Sequence, residues 1–263
     1  MYKRQVGDRD KETSLQQLGG QGVFVTDVQS AVLSGQADIA VHSAKDLPAE
    51  TSPGLALASV PERADPRDAL VGCLWNDLPK DALIATGSIR RRSHLAHLRP
   101  DLKFQELRGN IETRLSRIAD VDAVVVAKAA LDRLDLNPEQ TDTLPVSILL
   151  PQVGQGALGV ECREEDFEVI KMLKEIEDQK VRSAVDAERS FLAEVGSGCS
   201  LPIAAHAVLK KEEIFLKASI ASKDGRTLLK AEGSGVDANK LGVKIANKLL
   251  NEEGGGRLLN ENS

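Results

Sequence analysis

Residues 81–98 read DALIATGSIRRRSHLAHL, and the way this stretch changes character decides the fold. DALIAT is a short apolar run of strand length. The Gly87-Ser88 pair breaks it, with Ser88 a candidate helix cap, and IRRRSHLAHL then carries a helical pattern. The same succession follows twice more, as LKFQELR, the turn GN and the helix IETRLSRIA, then as VDAVVVA and the helix KAALDRL. Three strand-turn-helix units in a row predict a parallel sheet with helices on both faces. In such sheets ligands sit beyond the carboxyl ends of the strands.

Those strand ends are where the positive charge gathers. Arg90, Arg91, Arg108 and Arg114 fall at or just past them, beside helix N-termini whose free N–H groups favour anions, and Arg133 lies further along the third helix. Any one arginine on an amphipathic helix serves equally well as a solvated face residue. Recurrence at corresponding places, and the choice of arginine over lysine, point to the bidentate gripping of carboxylate or phosphate. The whole chain has a net charge of −6 and 3% aromatic residues, which excludes a general nucleic-acid surface.

Upstream, LGGQGVFVTDVQSAVLSG is a glycine-rich entry to a helix, and ADIAVHSAKDLP is a strand ending in Ser43, Lys45 and Asp46. A carboxylate beside a lysine at a strand end can exchange protons or hold a pyrrole or amide N–H; it can also be an ordinary surface pair. LALASVP is another strand, and ERADPRDALVG is polar and proline-bearing, a hinge between two α/β units. LPQVGQGALGVECR supplies a turn and a strand that crosses back to the first unit. Beyond it, VRSAVDAERSFLAEV is an amphipathic helix, and PIAAHAVL, EIFLKASIAS and TLLKAEGSG are antiparallel strands closed by the helix ANKLGVKIANKLL. A chain of 263 residues accommodates two or three domains.

The three cysteines form no close pair, so neither a disulfide framework nor a metal site is expected, and the thiols read as reduced. No signal pattern is present, and no apolar run approaches the ~20 residues that cross a bilayer, so a soluble cytoplasmic protein is expected. Cys73 and Cys162 sit in apolar runs as small buried hydrophobes do. Cys199 stands instead in the loop VGSGCSLP, where a thiol gains little packing. It could be a nucleophile, yet none of His42, His94, His97 and His206 lies in a telling motif, or it could carry a covalent group.

In order, GGQGVF, ADIAVHSAKDLP, ERADPRDAL, TGSIRRRSHL, LRGNIETRLSRI, LPQVGQGALGVECR and GSGCSLPI resemble the motifs of the porphobilinogen deaminase (hydroxymethylbilane synthase) family, over nearly the whole chain from Gly7 onward. The resemblance implies two doubly wound lobes like those of periplasmic binding proteins, 1–61 completed by about 155–176 and 67–150, and a small C-terminal α/β domain with an antiparallel sheet, 179–263. It implies a monomer that joins four porphobilinogen molecules head to tail with loss of ammonia and uses no nucleic acid or membrane. It also implies a dipyrromethane cofactor on a thioether from Cys199. By the same carry-over Asp46 contacts pyrrole nitrogens and moves protons. Ser43, Lys45, Thr86, Ser88, Arg90, Arg91, Arg108, Arg114 and Arg133 take the acetate and propionate groups, while Gln155 and Gln21 line the substrate cleft and Phe24 lies near the cofactor.

Two departures are visible. Gln21 stands where the family has lysine. Members also open with a strand, a helix and a second strand, a stretch that includes a motif of the form R-x-S-x-L-A, before the segment matching Val6-Gly7-Asp8, whereas this chain opens MYKRQ. A first lobe short of these elements is therefore expected, and with it an inactive or nearly inactive chain. The rival reading is a two-lobed module that captures an organic anion, and a cysteine hydrolase is the third; a plain binding module has no use for Cys199 or for Asp46 in its cleft.

Overall fold

The computed structural model describes residues 23–196 and 201–262. They form helices around three sheets. The first sheet has strands β1 (Ile39–Ser43), β2 (Leu55–Ser59) and β8 (Leu158–Arg163), preceded by helix α1 (Val23–Leu33). β8 lies between β1 and β2 and runs antiparallel to both, with Val41 opposite Val160. The segment containing VGQG thus returns to the first unit, as its sequence suggested.

The second sheet holds β3 (Asp68–Val71), β4 (Leu83–Ala85), β5 (Lys103–Gln105), β6 (Ala123–Ala127) and β7 (Thr141–Thr143) in the order β5-β4-β6-β3-β7. Helices α2 (Ile89–Leu98), α3 (Ile111–Ser116) and α4 (Lys128–Arg133) connect its strands. All five residues of β6 are buried, because successive side chains point to opposite faces and both faces are covered. Val125 packs with Leu70, Ile84 and Leu95 on one side; Val124 and Val126 pack with Leu107 and Leu131 on the other.

The expected parallel sheet is corrected to a mixed one. β4 is parallel to β5 and β6, but β3 runs antiparallel to β6 and β7. The reason is topological: β3 follows the crossover from the first sheet and has no crossover helix to reverse it.

The third sheet, β9 (Ile203–Lys210), β10 (Glu213–Ala221) and β11 (Leu228–Gly235), is an antiparallel meander. Helices α6 (Gln179–Val195) and α7 (Ala238–Asn247) cover it, with Phe191, Leu216, Ile220 and Ile245 fully buried between. The two helices approach closely because residue 242 is glycine: a Cβ there would lie 2.6 Å from both the Ala187 carbonyl oxygen and the Phe191 nitrogen. The short α5 (Phe167–Lys174) packs on the first sheet, and the chain closes with a π-helical turn and α8 (Gly255–Asn262), past the expected end of helix. Cys162 is buried as expected, whereas Cys73 is only half-buried at the rim of the second sheet's core.

Candidate active site

β1 ends at Ser43, and one tight helical turn, Ala44–Asp46, carries the next residues out of the sheet. Ala44 is buried under Gly154, where a Cβ would come within 2.9 Å of the Ala44 carbonyl carbon, so that glycine fixes where the turn sits. Lys45 and Asp46 are half-buried. Burial pushes the Asp46 carboxyl up, against the opposing charges of Lys45, His42 and Arg114. Burial pulls the Lys45 ammonium down, and Lys45 also feels Asp46, Arg91, Asp68 and Arg90. The end of β1 in the first sheet and the arginines of the second therefore share one electrostatic neighbourhood.

Across from that turn, β4 ends at Ala85. The Thr86 hydroxyl accepts the Ser88 N–H at 3.3 Å, and the Ser88 hydroxyl caps α2 by accepting the Arg91 N–H at 3.4 Å. Capping starts the helix at Ile89 and places Arg90 and Arg91 in its first turn, where both are buried. Beneath them lies Asp68, fully buried. Its Oδ1 accepts the Arg91 Nε at 2.9 Å and lies 2.8 Å from Arg91 Nη2, while its Oδ2 lies 2.8 Å from Arg90 Nη1. Burial alone would raise the Asp68 carboxyl, but the Arg90 and Arg91 charges overcome it and hold the group far below the carboxylate range.

The two arginines differ in what remains to them. Arg91 spends its third nitrogen, Nη1, on the Val125 carbonyl at 2.9 Å. Arg90 donates Nη1 to the Leu150 carbonyl at 2.6 Å and forms an ion pair, not a hydrogen bond, with Asp68 Oδ2 at 2.8 Å, whereas its Nε and Nη2 are buried without a hydrogen-bond partner among the described residues. Those two nitrogens form one edge of the guanidinium, the geometry that takes a carboxylate bidentately. A polar edge left unpaired inside a protein is costly, so this one calls for an anion.

The other expected site residues are spread more widely. Arg114, on α3, is half-buried, donates Nε to the Gly109 carbonyl at 2.8 Å and sends its charge to Asp46. Arg108 is exposed and paired with Glu106 at 2.6 Å. Arg133 donates Nη2 to the Gly156 carbonyl at 2.8 Å, on the segment that crosses back to the first sheet. Ser43 is half-buried and pairs in register with Leu158. Gln155 has no exposed surface: its amide nitrogen donates to the Pro66 carbonyl at 2.7 Å and to Asp68 Oδ1 at 3.0 Å. Gln21 and Cys199 lie outside the described residues, as does the Phe24 side chain, although Phe24 belongs to α1.

Two residues were not singled out in the sequence. Asp68 lies in ERADPRDAL, read there only as a hinge, and nothing local to it signals burial. Glu188 is the other: it accepts Arg63 at 2.7 and 3.2 Å, the Gly154 N–H at 2.7 Å and the Ala207 N–H at 2.8 Å, with His206 at 3.4 Å. Burial pushes Glu188 up, but Arg63 and His206 outweigh it and bring it down to about 2. A signal existed here, since Glu188 shares the apolar stripe of α6 with Ala184, Phe191 and Val195.

Two sheets joined by crossovers, with buried arginines close to a half-buried lysine-aspartate pair, define an α/β protein with a candidate site for an acidic ligand at their junction. Residues 2–171 match the family described as "Porphobilinogen deaminase, dipyromethane cofactor binding domain", and residues 183–251 match "Porphobilinogen deaminase, C-terminal domain". Curated proteins named porphobilinogen deaminase are similar throughout. The one from Brevibacillus brevis is 42% identical over 97% of this chain and 84% of its own length. That of Roseiflexus sp. is 43% identical over 96% and 85%. The chain belongs to the porphobilinogen deaminase family.

The family's cofactor is a dipyrromethane, an acidic group with pyrrole N–H donors. The residues present fit it: Arg90 offers a carboxylate an unpaired edge, and Asp46 offers an N–H an acceptor.

Proposed function

We propose that this chain is a transferase of tetrapyrrole biosynthesis that joins four porphobilinogen molecules head to tail, releases ammonia and yields hydroxymethylbilane. The observation that carries the reading is that Asp46 feels the charges of Lys45 and Arg114 while Lys45 in turn feels Arg90 and Arg91, at the junction of the two sheets. Each porphobilinogen brings two carboxylates, and a growing chain of them needs cations held in place beforehand. Arg90, Arg114 and Lys45 supply these, and helix α2 keeps Arg90 fixed. The covalent dipyrromethane supplies the pyrrole carbon at which the first unit is joined. Asp46, pushed up by burial, accepts a pyrrole N–H and holds or returns a proton as ammonia leaves. Cys199 is the attachment point in this reading, Phe24 and Gln21 complete the cleft, and Ser43, Thr86, Ser88, Arg91, Arg108 and Arg133 hold carboxylates directly or through neighbours.

The reading extends to a cytoplasmic monomer that needs neither nucleic acid nor membrane, divided into lobes 1–61 with about 155–176, 67–150, and 179–263. Among the described residues no helix is long and apolar enough to cross a membrane. The test is an intact mass of the purified chain together with uroporphyrinogen formation from porphobilinogen. An adduct of two pyrrole units that disappears in Cys199→Ser supports the reading; an adduct that persists unchanged in Cys199→Ser would overturn it.

A further inference from the structure

The chain passes between the first and second sheets twice, once through residues 60–68 and once through 144–157, and the two passages are stitched together. Arg63 donates Nε to the Gln155 carbonyl at 2.9 Å, and the Ala64 N–H bonds the Gly156 carbonyl at 3.1 Å. Gly156 lies against the Ala64 carbonyl so closely that a Cβ would come within 2.5 Å, and its φ of +84° is one that side chains rarely adopt. The Gln155 amide nitrogen closes the set by bonding both Pro66 and Asp68. Asp68 is therefore at once the last residue of one passage, the first of β3 and the carboxylate under Arg90 and Arg91.

This position has a chemical consequence. One carboxylate faces two buried guanidiniums, and Lys45 lies close enough to feel all three. Asp68 saturates Arg91, which has no further nitrogen to offer, but it meets Arg90 only at Nη1. The contact turns the guanidinium so that Nε and Nη2 form the free edge. Without the negative charge, two like charges would face each other in a desolvated site, and only the Leu150 carbonyl would be left to orient Arg90.

We propose that Asp68 is a positioning residue of this site: held by Gln155, its carboxylate fixes the Nε–Nη2 edge of Arg90 for one ligand carboxylate and ties that alignment to the paired passages between the two sheets. Asp68 touches neither cofactor nor substrate in this scheme. It acts through Arg90, and the inference rests on the functional reading above only for the identity of the acidic ligand.

The test uses the full chain and the variants Asp68→Asn, Gln155→Leu and Asp237→Ala. The last removes a carboxylate that caps α7 by accepting the Lys240 N–H at 3.0 Å, in the third sheet's layer. In Asp68→Asn, KM for porphobilinogen should rise about tenfold or more while kcat changes less than about threefold, as expected for a binding contact to a charged group that is lost. Gln155→Leu, which only loosens Asp68, should show a smaller rise of the same kind, about threefold. Asp237→Ala should lower the melting temperature and leave KM within about twofold of the parent.

Succinate, a plain dicarboxylate, supplies a readout without turnover: by calorimetry its affinity should fall in Asp68→Asn and Gln155→Leu and hold in Asp237→Ala. Unchanged KM and unchanged succinate affinity in Asp68→Asn would overturn the inference. If Asp68→Asn does not fold, Gln155→Leu decides by the same two numbers. An adduct that persists in Cys199→Ser sinks the functional reading alone, and where the parent shows no turnover the succinate comparison decides by itself.

Discussion

Asp68 and Glu188 are both buried carboxylates that hold arginine at the junctions between sheets, yet their surroundings end differently. Around Glu188 the arginine is fully matched: Arg63 grips both oxygens with its two terminal nitrogens and gives Nε to the Gln155 carbonyl, and the Gly154 and Ala207 N–H groups complete the shell. Around Asp68 the count does not close, because Arg90 keeps a buried edge with no partner among the described residues. A matched arginine holds segments together, here the return passage, α6 and the strand β9. An arginine with a buried open edge is costly to the fold unless an acidic group meets it. The difference distinguishes a brace from a candidate anion site where the residue types alone do not.

The largest expected effect lies on the braced side. Glu188→Gln leaves the buried Arg63 guanidinium without its counter-charge, so stability should drop by about 3–5 kcal/mol. For a chain of this size that is on the order of 6–20 °C in a thermal melt. A shift under a couple of degrees would show that the shell is not closed as described. On the open side, Asp46→Asn keeps shape but loses the charge that handles protons, and turnover should fall by at least ~10²-fold with little change in melting temperature. Near-parental turnover would remove Asp46 from the chemistry.

Acidification separates the regions further. His94 is buried on α2: its Nδ1–H donates to the Arg90 carbonyl at 2.8 Å and its Nε2 accepts the Ser219 hydroxyl at 2.8 Å, and burial brings it down to about 3. The folded chain keeps His94 neutral while the unfolded chain takes up a proton below about pH 6.5, so His94 erodes stability as pH falls from 6.5 toward 3, by up to ~1.4 kcal/mol per unit. Glu188 acts lower: its depressed value stabilises the fold above about pH 4.5, and that contribution is lost as pH falls toward 2. In denaturant melts from pH 7 to 4 the parent should lose stability relative to His94→Gln as pH falls; a pH-independent difference between the two would break the assignment. The smallest effect is expected at the exposed Arg108–Glu106 pair, where Glu106→Ala should cost no more than about 1 kcal/mol.

The sequence settled what short-range physics controls. The strand-turn-helix succession from Asp81 to Arg133, the meander from Ile203 to Gly235 and the capped start of α2 at Ser88 all follow from local pattern, since periodicity and capping act within a few residues. The family motifs likewise pointed to Asp46 and the arginines. What tertiary structure alone decided was the direction of β3, the burial of Asp68 and Gln155, and the unequal shares of Arg90 and Arg91, adjacent residues that read alike in IRRRSH. Each depends on contacts between residues far apart in the chain: Arg90 meets Leu150, Arg91 meets Val125, and Gln155 meets Asp68. Burial and pairing at such distances are set by how the sheets meet, and no local stretch of sequence carries that information.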